Sequence, residues 1–153
     1  MRIAVSLLVL LLPAFAQWVE LRPTSPTTLN ATSPQILSGR GVWAFEAEVV
    51  YRAPSGANHK VLVQLVPSGP MGLGLRAYLT PGTPVRVSGT GPLGTLALSG
   101  RTPVASPGFW TLLQGARDVW GRLPLTLELE ALGPGPLSPG YLFLQVNLVI
   151  MPE

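Results

Sequence analysis

Glycine and proline punctuate this chain so densely that long helices are excluded before any other feature is weighed: 17 glycines and 17 prolines fall among 153 residues. Both are unfavourable inside regular elements and favoured in turns, so the elements must be short and the turns many. Between the turns the pattern is strand-like. Trp43, Phe45, Ala47, Val49 and Tyr51 alternate with Ala44, Glu46, Glu48 and Val50, a period of two that sets one face on a core and leaves Glu46 and Glu48 towards solvent. Leu125, Leu127, Leu129 and Ala131 alternate with Thr126, Glu128 and Glu130 in the same way. Beyond a turn at 53–58, Val61, Val63 and Leu65 repeat the alternation, which predicts a hairpin between 43–51 and 60–66. Shorter strands are predicted at 75–79, 85–88 and 93–98, and Phe109 to Trp120 reads as a strand leading into a turn. With 47% hydrophobic residues the chain has ample material for a core. The expected architecture is all-β: an antiparallel sandwich of Ig-like or Greek-key type over residues 39–153.

The N-terminus has a different character. Arg2 precedes an apolar run from Ile3 to Leu12 broken only by Ser6, and Ala14-Phe15-Ala16 is a small-residue cleavage motif. Residues 1–16 therefore read as a secretory signal peptide, too short to span a bilayer, which takes about 20 apolar residues. The mature chain is expected to start at Gln17 with no transmembrane span, and to pass through the periplasm to the cell surface or beyond. Residues 17–38, with Pro23, Pro26 and Pro34 among Thr, Ser and Asn, read as an extended arm. An exported chain with no cysteine draws its stability from burial and strand pairing alone.

Few residues are equipped for chemistry. Charged residues make up 11% of the chain, less than half the usual proportion of about 25%. The net charge is only +3. The arginines are scattered singly, which argues against a nucleic-acid partner. A Ser-His-Asp arrangement would have to use His59 and Asp118, the only residues of their kinds, and His59 reads as a surface imidazole in a turn. No transition-metal site is expected with one His and no Cys, and no cofactor is implied. The pairs Glu46/Glu48 and Glu128/Glu130 have the spacing to flank a glycosidic bond, but read more simply as polar strand faces. Trp110 and Trp120 flank Arg117-Asp118 and read as packing residues rather than a sugar-stacking platform. The chain is expected not to be an enzyme.

The last strand is the unusual one. Leu142, Leu144, Val146, Leu148 and Ile150 line one face from Tyr141 to Met151, and the other face is also largely apolar except at Gln145 and Asn147. The run from Leu112 to the Trp120-Gly121 turn, together with Leu137-Ser138-Pro139-Gly140-Tyr141 and the strand after it, resembles the spore coat protein U domains. That family includes the archaic chaperone-usher pilins. Its members usually carry cysteines early in the domain, and this chain has none. The resemblance implies a fimbrial subunit that is held by a periplasmic chaperone, passed to an usher and joined to identical or related subunits by donor-strand complementation. Val19, Leu21, Leu29 and Ala31 have the parity of a donor strand, and the face from Leu142 to Ile150 that of its acceptor. The alternative is a monomeric binding module of the cell envelope, taking a carbohydrate or a protein through loops such as 67–74.

Overall fold

The protein is described by a computed structural model covering residues 2–9, 17–104, 107–138 and 140–153. The expected cleavage motif Ala14-Phe15-Ala16 and Pro139 of the expected closing turn lie outside the described residues. Twelve strands and one short helix follow in the order β1 (Arg2–Val9), β2 (Trp18–Pro23), β3 (Thr28–Asn30), α1 (Ser33–Ser38), β4 (Arg40–Ala53), β5 (His59–Ser68), β6 (Leu75–Pro81), β7 (Val85–Gly89), β8 (Thr95–Leu96), β9 (Thr102–Pro103), β10 (Trp110–Ala116), β11 (Val119–Leu132) and β12 (Tyr141–Pro152). They form an all-β sandwich. One sheet has the order β3-β1-β12-β5-β10-β8, the other β2-β4-β11-β6-β9, with β7 beside the first part of β11.

The two best-patterned stretches of the sequence form the centre of one sheet. β4 and β11 pair antiparallel from Arg40 with Leu132 to Ala53 with Val119, which sets Trp43 beside Leu129, Phe45 beside Leu127 and Ala47 beside Leu125. All six side chains are buried. In the facing sheet β5 and β12 pair antiparallel, with Val61 beside Ile150, Val63 beside Leu148 and Leu65 beside Val146. The core is the single layer between these inner faces, the arrangement that strands with one apolar face each require.

Three expectations are corrected. The stretches 43–51 and 60–66 do not form a hairpin, because β4 and β5 belong to opposite sheets. Each has one apolar face, and those faces cover each other across the core only if the chain crosses over at 54–58. Residues 17–38 are not an extended arm. Val19 and Leu21 are buried on β2, which pairs with β4 from Trp18 with Arg52 to Pro23 with Ala47. Pro23 ends β2, Pro26 lies in the loop after it and Pro34 in the first turn of α1, so none interrupts a ladder, and the backbone N–H groups of Thr24 and Ser25 donate to Glu46 O. Helix α1 is defined by a capping box: Thr32 Oγ1 accepts from Gln35 N at 3.4 Å and Gln35 Oε1 accepts from Thr32 N at 2.8 Å. It ends at Gly39, whose φ of 69° suits glycine. Finally, His59 is buried rather than solvated. It opens β5 in an inward-facing position between Ala116 and Pro152, and its Nδ1 donates to Ala57 O at 2.9 Å.

No ladder among the described residues joins two strands that are neighbours in sequence, since nearly every connection crosses from one sheet to the other. The paired residues nearest in sequence are Leu96 and Leu113.

Candidate strand-acceptor site

The inner face of β12 is as the alternation requires: Leu142, Leu144, Val146, Leu148 and Ile150 are all buried. On its outer face Tyr141 and Phe143 are exposed, with ring centroids 5.6 Å apart. The two polar breaks in that face belong to one chain of amides. Gln145 Nε2 donates to Asn147 Oδ1 at 3.1 Å, Asn147 Nδ2 donates to Gln64 Oε1 at 2.8 Å, and Gln64 Nε2 donates to Pro107 O. Each amide satisfies the next, so Asn147 is buried without loss.

The edges of β12 differ in origin. One is held by β5, from Phe143 with Ser68 to Pro152 with His59. The other is held by β1, which runs parallel to it from Arg2 with Tyr141 to Val9 with Leu148. This is the only parallel pairing among the described strands. Ile3 is completely buried, in register with Leu142 on one side and Leu29 of β3 on the other. Among the described residues strand β3 has no other strand beside it. The alternation of the sequence identifies the buried inner face of β12. It gives no sign that residues 2–9 occupy the position beside it, because they belong to an apolar run, broken only at Ser6, that reads as a leader.

The four candidate donor residues are divided. Val19 and Leu21 lie in β2, in register with Tyr51 and Val49 of β4, in the sheet opposite β12. Leu29 lies in β3 and Ala31 follows it, both half-buried at the edge of the β12 sheet. Gln17 is buried, and its side-chain amide donates to Ile150 O at 3.4 Å.

The candidate catalytic groups are each held by a neighbour. The Asp118 carboxylate accepts from Thr90 Oγ1 at 2.9 Å. Thr126 donates to Glu46, Arg101 to Glu128 and Tyr78 to Glu130, while Arg122 lies 4.0 Å from Glu48. Among the described residues no three His, Cys, Asp or Glu side chains gather where they would hold a metal. Trp110 and Trp120 lie on different sheets and share no platform; Trp120 packs edge-on against Trp18 at 5.9 Å. Beside Trp120, Arg52, Pro54, Ser55, Ser88 and Asp118 border an open cleft of about 450 Å³. Among the described residues no helix is long and apolar enough to cross a membrane.

No protein-family model matches the chain, and no curated protein or solved structure matches it.

Proposed function

We propose that the protein is a non-enzymatic, exported surface protein, a fimbrial subunit whose sandwich is completed by a strand from a partner. The observation that carries this reading is the neighbour of β12: it comes from residues 2–9, which precede the Ala14-Phe15-Ala16 cleavage motif. Loss of residues 1–16 on export leaves one edge of Tyr141 to Leu148 unpaired, takes away the strand that β3 pairs with, and vacates the position filled by Ile3. A bare edge over an apolar face aggregates unless covered, and an added strand satisfies its backbone groups and its side chains together. A periplasmic chaperone covers that edge in transit, an usher passes the subunit outward, and related subunits supply the final strand.

A self-contained binding module of the cell envelope is the second reading. It is favoured by the pairing of β2 within its own sandwich and by the open cleft beside Trp120. Secretion of the whole chain from a bacterial host, followed by N-terminal sequencing and sizing, tests the proposal. The expected product starts at Gln17 and is recovered in complexes or surface fibres. A product that keeps residues 1–16, or one that starts at Gln17 and remains a single chain, overturns it.

A further inference from the structure

We infer that the vacancy beside β12 is filled by a strand of a different polypeptide, and not by residues 17–31 of a second copy of this chain. The inference rests on the fimbrial reading and names its partner. A donor segment must be free of its own fold, and 17–25 is spent there, while 26–31, whose strand β3 loses β1 on cleavage, is a six-residue stretch tethered between Ser25 and the α1 cap. Gln17 is buried and tied to Ile150 O. All six residues of β2 are paired with β4, and Val19 and Leu21 are buried in the core. Thr24 and Ser25 are bonded to Glu46 O, and Thr32 is held by the α1 capping box. To donate, the chain would have to strip an edge strand from one sheet in order to complete the other in its neighbour, exchanging one open edge for another.

The register of residues 2–9 and their sequence set the pattern a replacement strand has to match. Positions 3, 5, 7 and 9 stand in register with Leu142, Leu144, Val146 and Leu148, and all four hold large aliphatic residues, Ile3, Val5, Leu7 and Val9. Arg2, Ala4, Ser6 and Leu8 alternate with them. The partner is therefore a polypeptide with an extended segment carrying large aliphatic residues at four alternate positions, uninterrupted by proline. The segment 17–31 departs from this, with Pro23, Ser25 and Thr27 between its apolar pairs.

The test begins with the whole chain, folded with a protease site placed between Val9 and Gln17 and then cut. A labelled peptide of the sequence of residues 2–9 is added, and a second peptide carries Ile3→Asp. The expected result is uptake of one labelled strand per chain, loss of uptake with the Ile3→Asp peptide, and no linking of copies as concentration rises. A second protein carries Arg22→Cys and Glu48→Cys, a register pair on β2 and β4, so that oxidation locks β2 in place. Uptake by the locked protein should equal that of the unlocked one. Chains of copies that form after cutting and are blocked by the lock overturn this inference and leave the fimbrial reading standing. A cut protein that neither takes up the peptide nor links to itself overturns both.

Discussion

Tyr51→Phe is the substitution whose effect the structure fixes most tightly, because one oxygen atom is removed from a site whose protonation and bonding are both defined. Tyr51 is fully buried on β4, and its hydroxyl donates to Leu93 O at 2.8 Å. Burial pushes the phenol from its ordinary 10.0 up to about 12, with Arg86 pulling weakly the other way. At neutral pH the Phe variant leaves the Leu93 carbonyl without that donor, at a cost of about 1–3 kcal/mol. Below pH 10 the phenol is protonated in both folded and unfolded chains, and its contribution is complete. Between pH 10 and about 12 the unfolded chain releases the proton and the folded one keeps it, so the wild-type protein loses stability as pH rises. The loss is about 1.4 kcal/mol per pH unit, or roughly 2.7 kcal/mol over the interval. The Phe variant escapes it. Urea midpoints measured for both proteins from neutral pH to about 12 should therefore converge above pH 10 and meet or cross near the upper end. Every other titrating group is common to both and drops out of the difference. A gap that stays constant across the range would refute the assignment of a buried, protonated Tyr51.

Gly121 lies against the same ring: a Cβ there would sit 2.5 Å from Tyr51 Cζ and Oη. Gly121→Ala should cost about 1–3 kcal/mol, and the cost should fall in a Tyr51→Leu background; equal penalties in both backgrounds, read by thermal unfolding, would reject the contact. Trp43→Ala, on the buried face of β4, should destabilise by about 3–5 kcal/mol, while Glu46→Ala on the exposed face should move stability by less than about 0.5 kcal/mol. Equal shifts in their denaturant midpoints would reverse the faces.

The strands were legible where alternation and Gly/Pro boundaries agreed. β4, β5 and β11 each carry one apolar face, β12 carries an unbroken aliphatic row from Leu142 to Ile150, and local sequence suffices to read them. Pairing was not legible, because a strand's pattern states that it needs cover without stating from which element. For this reason β4 and β5, adjacent in sequence and matched in pattern, suggested a hairpin although they face each other across the core. Thr32-Ser33-Pro34-Gln35 is a capping signature that announces α1, yet six residues rich in Ser and Pro carry no apolar stripe to support it. His59 shares the parity of Val61, Val63 and Leu65, and that parity outweighs the turn beside it. At the candidate site the buried face of β12 was readable from residues 142–150, whereas the strand beside it is set by a pairing across more than a hundred positions.

The connectivity also governs how this chain reaches its native state. With no ladder between sequence neighbours among the described residues, no hairpin there is available to form early and hold the rest in place. Each closure spans a long loop whose entropy is lost before any cross-strand contact compensates for it. Chains dominated by such contacts fold in milliseconds to seconds, orders of magnitude slower than helical bundles of similar size. Throughout that interval the leucine rows of β11 and β12 are uncovered. If the meeting of Arg40–Ala53 with Val119–Leu132 limits folding, substitutions along this central pair should slow refolding more than they accelerate unfolding in stopped-flow measurements.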